Sequence, residues 1–267
     1  MFSMKIKQKL LTVNKRLFGF FTTIKQLFPF FKQDVDIEVF RVCATMFCSK
    51  FLNMIVMFIP LKLLFVLSGS KNIDFLEQIE MKVGRSTYIT TMMMIVIVLY
   101  LINTWVQIYK GKLISRQQQR IEKKPYQFNG KALSTRIVIR TYAAYCQIIA
   151  DVILIVLITA LMFILNVHYA LYFTAVICVY FIIIEYWVFS NHDTRLLKKL
   201  NIDKKQFINA LSSIFYLVLF IGIVSVVLST EIHILLAILI LLLVRLVNGA
   251  LKTFFSSQLI IRQHYLS

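Results

Sequence analysis

The sequence predicts an all-α, polytopic membrane protein with six transmembrane helices, and three observations carry that prediction. Hydrophobic residues make up 59% of the 267 residues, and the mean hydropathy is +0.78. Apolar stretches longer than the roughly 20 residues a helix needs to cross a bilayer recur along the chain. Only 7 Gly and 3 Pro occur, which permits long uninterrupted helices, and the alternating segments of a β-barrel are not seen. The net charge of +18 does not imply nucleic acid as a partner, because the basic residues crowd into alternate connectors, the pattern of membrane topology.

Residues 1–32 read as a basic amphipathic cytoplasmic helix. Ile6, Leu10, Val13, Leu17, Phe20, Ile24 and Leu27 recur at spacings of three and four, with Lys5, Lys7, Lys9, Lys15 and Arg16 between them. That pattern suits the anionic surface of a membrane, although an unattached basic tail has the same composition. Pro29 is expected to end this helix, and Asp34, Asp36 and Glu38 then lead into the first span. The stretch lacks a compact apolar core followed by a small-residue cleavage site, so no cleavable signal is expected.

Residues 33–267 are expected to form the six-helix domain, with spans at about 39–67, 88–109, 141–165, 169–189, 207–228 and 232–255. The first connector, 69–87, balances Lys71, Lys82 and Arg85 against Asp74, Glu77 and Glu80 and is placed outside. The second, 110–140, carries Lys110, Lys112, Arg116, Arg120, Lys123 and Lys124 among its basic residues against Glu122 alone, and is placed inside. Spans three and four form a hairpin around 166–168. The fourth connector, 190–206, returns Arg195, Lys198, Lys199, Lys204 and Lys205 to the inside. Spans five and six flank a short external turn at 229–231, so both termini are expected to be cytoplasmic. The expected location is a cell membrane of the bacterial inner (cytoplasmic) kind, with membrane lipid as the surrounding partner.

Enzyme signatures are absent: there is no G-x-x-x-x-G-K-[ST], H-E-x-x-H or G-x-S-x-G. No catalytic residue, cofactor-binding residue or metal ligand is therefore expected in this chain. Cys43, Cys48, Cys146 and Cys178 lie in apolar segments without C-x-x-C spacing and read as small hydrophobes. Function is sought among ionisable residues within the spans, where charge is costly. At 1.5 Å rise per residue, Lys50, Asp151, Glu185 and Arg245 all fall in the inner half of the membrane, and Asn248 lies one turn below Arg245. Two cations and two carboxylates at similar depth are expected to neutralise one another around a cavity open to the cytoplasm. Snorkelling to the headgroups, or simple locking of helices, suits the same residues. Arg245 is the deepest and the leading candidate for a substrate contact.

The stretch LFPFFKQDVDIEVFRVCATMFCSKFLNMIVMFIPLKLLF, and the hairpin ILNVHYALYFTAVICVYF, resemble the transmembrane domain of ABC exporters. The first is similar to the heavy-metal and mitochondrial-type branch, in which a Pro-aromatic lead and an acidic turn precede a span with Lys-x-x-Asn and then a proline followed by Lys. Here those positions are Lys50, Asn53, Pro60 and Lys62. Pro60 follows Asn53 by seven residues, farther than in that branch, and the short second and fourth connectors imply reduced intracellular extensions. The chain stops after the sixth span, so the resemblance implies a separate ATP-binding subunit that holds ATP and Mg, with no cofactor in this chain. It further implies a homodimer, and alternating access for an amphipathic, peptide or lipid-like substrate passing Lys50, Asn53, Asp151, Glu185, Arg245 and Asn248. The ATPase subunit would touch Arg116, Gln118, Arg120, Asp193, Arg195 and Lys198, although enforcement of topology explains the same basic loops. Two other functions fit the sequence: a proton-coupled transporter in which Asp151 or Glu185 titrates, and a structural or scaffolding membrane subunit.

Overall fold

The computed structural model describes residues 19–34, 38–67, 84–122, 126–128, 131–189, 202–229 and 234–265. Residues 1–18 of the leading amphipathic helix, most of the first connector and the turn at 230–233 lie outside them.

Helix α1 covers 19–29 and passes Pro29 without stopping, continuing as a π turn over Phe30–Asp34. Proline removes one backbone donor and crowds the preceding turn, and a widened turn accommodates both effects. The expected break at Pro29 is thus a change of helical register.

Among the described residues, six helices are long and apolar enough to cross a membrane. They are α2 (Val39–Leu67), α3 (Arg85–Ile121), α4 (Thr135–Leu165), α5 (Val167–Trp187), α6 (Lys204–Ser229) and α7 (Ile234–Tyr265). The protein is therefore a multi-pass membrane protein. Helix α3 has 37 residues, α4 31 and α7 32. At about 1.5 Å per residue all three overrun a hydrocarbon core of roughly 30 Å. The extension of α3 past residue 109 is longer than the connector length suggested. Beyond it, strands β1 (Tyr126–Phe128) and β2 (Lys131–Leu133) form an antiparallel hairpin that pairs Tyr126 with Leu133 and Phe128 with Lys131. Asn129-Gly130, the dipeptide between the strands, is the commonest chemistry for so short a hairpin.

Helix α4 is the centre of the bundle. It packs most extensively on α7, then on α2 and α5, and touches α3 at one side. Its buried small residues Ala144, Cys146 and Ala150 allow neighbouring backbones to approach, the usual means of helix packing in lipid. Asn166 separates α4 from α5, and its Oδ1 accepts from the Tyr169 amide at 2.9 Å, capping the new helix after a sharp reversal. On α5, Tyr169 and Tyr172 donate their hydroxyls to the α6 carbonyls of Leu219 (3.3 Å) and Val218 (2.8 Å). Gly222 lets the Tyr172 ring lie against α6, since a Cβ there would sit within 2.8 Å of the ring carbons Cδ1 and Cζ.

Helix α3 stands at the edge, held mainly by α2. The contact is polar. Asn103 and Gln107 donate to Asn53 Oδ1 at 2.9 and 3.1 Å, Lys110 donates to Ser49 at 3.0 Å, and Arg41 donates to Tyr109 at 2.8 Å. Hydrogen bonds replace the missing hydrophobic drive between helices in lipid. The outer face of α3, with Met94, Ile97, Leu101 and Trp105 exposed, is left for hydrocarbon.

One end of the bundle, the basic end, carries the hairpin, the start of α4 and the finish of α7. An aromatic cluster closes it. Phe30 meets Phe128 at 5.2 Å between centroids, Phe128 meets Tyr265 at 4.8 Å, and Phe31 packs on Tyr142 and Tyr145 at 5.4 Å each. The Pro-aromatic sequence before the first span is thus the clamp between α1, the hairpin, α4 and α7.

Candidate functional site: a cationic cleft between α2, α4 and α7

Helices α2 and α7 both lean on α4 but touch each other only sparingly, and a cleft of about 360 Å³ lies between them. That volume falls within the roughly 300–1,000 Å³ usual for small-molecule sites. Leu154 of α4 lines the floor. Lys50, Asn53, Met54 and Met57 face it from α2, and Arg245, Gly249 and Thr253 are among the α7 residues opposite.

The lining is mostly apolar, with its charge in two places. At the basic end, Lys50 donates to Asp151 Oδ1, and Asp151 is fully buried. Oδ2 of Asp151 accepts from Thr253 Oγ1 at 2.6 Å and from Gln147 Nε2 at 2.9 Å. The carboxylate therefore ties α2, α4 and α7 together at one level, and both of its oxygens are occupied. Register explains the meeting: Lys50 and Asp151 lie at matching heights above the basic ends of two spans that rise side by side, and Gln147 is one turn before Asp151 on the same face.

Arg245 lies eight residues before Thr253, about 12 Å along α7. It is exposed on its helix, lines the cleft, and makes no hydrogen bond or ion pair among the described residues. A charged residue at the centre of a membrane helix costs roughly 2.5–3.5 kcal/mol on insertion scales. Between the two charged levels stands Gly249, where a Cβ would meet nothing within 4 Å, so the absent side chain leaves the cleft open there.

The four intramembrane charges do not form one cluster. Glu185 pairs with Arg262 at 2.8 Å, away from the cleft. Arg262 also stacks on Phe189 (4.2 Å) and on Phe20 of α1 (5.2 Å). This second centre joins α5, α7 and the leading helix. Asn248 faces α6 and accepts from Ser212 Oγ at 2.9 Å. Of the six expected pathway residues, Lys50, Asn53 and Arg245 line the cleft and Asp151 lies beneath it. Glu185 and Asn248 belong to helix contacts. Thr253, Gln147 and Gly249 are site residues that the sequence reading passed over. Thr253 and Gln147 are neutral, and only the α4–α7 register shows that they face Asp151.

Arg116, Gln118 and Arg120 lie on the extension of α3, where Arg116 and Arg120 border an open depression with Gln119 and Glu122. Asp193, Arg195 and Lys198 are outside the described residues. Among the described residues no group of His, Cys, Asp or Glu is placed to hold a metal ion. No family model, curated protein or solved structure matches the chain significantly.

Proposed function

We propose that this chain is the membrane-spanning subunit of a transporter, with the α2–α4–α7 cleft as its substrate passage and the basic end facing the cytoplasm. The single observation that carries the reading is the cleft itself. An apolar-walled cavity of about 360 Å³ holds an intramembrane arginine with no partner among the described residues at one level and a three-helix carboxylate junction at another. A helix bundle that only scaffolds has no need to maintain a cation in an open groove at that cost.

The resemblance of the first span to ABC exporters supports a split arrangement. Two copies would form the pathway, and a separate ATPase subunit would bind the basic ends. Arg116 and Arg120 on the overrunning α3 are suited to that contact, since they project past the hydrocarbon core on a rigid helix. Alternating access would then exchange the packing of α2 and α7 on α4, and the Lys50–Asp151–Thr253 junction is the element that must open or rotate. A second reading, proton-coupled transport, is favoured by one observation: Asp151 is a fully buried carboxylate directly under the cleft.

Purification of the tagged chain from its native membrane separates the two. The first reading expects a stoichiometric P-loop ATPase whose association is lost in Arg116→Glu/Arg120→Glu while the chain still inserts. Transport that survives ATP depletion and collapses with the proton gradient refutes it in favour of the second.

A further inference from the structure

We infer that the cleft binds an anionic amphiphile, with a carboxylate or phosphate headgroup held by Arg245 and an apolar tail lying along Met54, Met57, Leu242 and Leu246. The inference deepens the transport reading and rests on it for biological purpose, but binding is measured without turnover.

Charge decides the headgroup. Lys50 and Arg245 are cations, and among the described residues Asp151 is the one carboxylate at the cleft, so one positive charge remains over. Asp151 cannot supply the missing anion, because Lys50, Thr253 and Gln147 already occupy its oxygens. A guanidinium in the cleft with no partner among the described residues favours a planar or tetrahedral oxyanion, which it meets with paired, charge-assisted hydrogen bonds. A cationic or uncharged headgroup gains nothing from it.

The walls decide the tail. The groove is lined by methionine and leucine, and unbranched methionine adapts to irregular chains. Gly249 lies between Arg245 and the junction at Thr253, with open space where a side chain would be. A Cβ at 249 meets open space, and bulk built on it is directed into the cleft that Gly249 lines, which makes it a lever on occupancy that leaves every charge in place.

Surrounding anionic phospholipid and free amphiphile offer the same chemistry. The purified full chain in a nonionic maltoside detergent is titrated by calorimetry with dodecanoate and with dodecyltrimethylammonium. Dodecanoate should saturate one site per chain and the cation should not. Arg245→Gln and Gly249→Phe should each weaken dodecanoate by about tenfold or more, and Arg245→Lys, which keeps the charge but not the paired hydrogen bonds, should fall between wild type and Arg245→Gln. Equal affinity for both amphiphiles, or wild-type dodecanoate affinity in folded Gly249→Phe, overturns the inference. Gly249→Phe retains the arginine, so a folding failure of Arg245→Gln does not decide the matter.

Native mass spectrometry of the membrane-extracted chain distinguishes the sources. Anionic phospholipid retained by wild type and lost from Gly249→Phe identifies a lipid headgroup, whereas an empty chain that binds dodecanoate identifies a free amphiphile. Selective anion binding in a chain that neither transports nor binds an ATPase would retire the transport reading and keep the site. Transport without anion selectivity would do the reverse.

Discussion

Replacing Lys50 with Met removes one partner of the Asp151 junction and leaves the other in place. An ion pair at about 4 Å in an effective dielectric near 20 is worth roughly 4 kcal/mol, and stripping one partner from a buried pair typically costs roughly 3–5 kcal/mol. Two features of the structure reduce that figure. The Lys50 side chain keeps 24% exposure, so part of its attraction is screened. Thr253 and Gln147 continue to donate to Asp151 Oδ2. The expected loss for Lys50→Met is therefore about 2–3 kcal/mol. Asp151→Asn keeps an acceptor for Thr253 and leaves Lys50 able to reach the mouth of the cleft, so it should cost less. If the two residues act as a pair, Lys50→Met/Asp151→Asn will fall short of the sum by roughly 1–3 kcal/mol. Steric trapping in bilayer discs measures all three variants on one scale. A coupling energy below about 0.5 kcal/mol would mean that the two residues contribute independently, and the junction would lose its role in joining α2 to α4.

Other consequences follow from single contacts. Gly222→Ala drives a methyl group into the Tyr172 ring, which its hydroxyl bond to Val218 pins in place, and should destabilise the α5–α6 contact by about 1–3 kcal/mol; Tyr172→Leu in the same chain should restore most of the loss in a thermal unfolding assay. Arg262→Ala removes the Glu185 pair and both ring contacts, so protease cleavage near Phe20 should rise severalfold while the six spans remain inserted. Asn103→Leu deletes a donor to Asn53 and should weaken the α2–α3 contact by about 0.6–1.7 kcal/mol, read as faster hydrogen exchange along α3.

The spans were legible because their signal is additive: each residue of a long apolar run raises the hydropathy, and no neighbour is needed to interpret it. Val39–Leu67 was readable to the residue for that reason. Depth was readable in part: counting at about 1.5 Å per residue set Lys50 and Asp151 at one level, but it grouped Arg245 with them, and Arg245 stands about 12 Å along α7 from Thr253 at that junction. Partnership was not. Glu185 finds Arg262, 77 residues away, only because α7 runs on to Tyr265 and brings its last turns alongside the finish of α5. A chain expected to leave the membrane near residue 255 places Arg262 in a tail instead. The β-hairpin was hidden by its size, with strands of three residues each, although Asn129-Gly130 was a usable turn signal. At Pro29 the local rule favoured a stop, and aromatic packing of Phe30 and Phe31 on the hairpin and α4 carried the helix through.

Water in the cleft is the property on which the transport account depends. In a chain whose Cys43, Cys48, Cys146 and Cys178 have been replaced by Ala, a cysteine at Gly249 is compared with one at Val224, which is exposed on α6 outside the cleft. Thiol reagents attack the thiolate, which forms in water and not in hydrocarbon. A charged, membrane-impermeant methanethiosulfonate should therefore modify Gly249→Cys at least about tenfold faster than Val224→Cys, from the membrane face that carries the basic end. Equal and slow modification at the two positions would mean that the groove is filled by lipid or protein, and would contradict the cleft as a substrate passage.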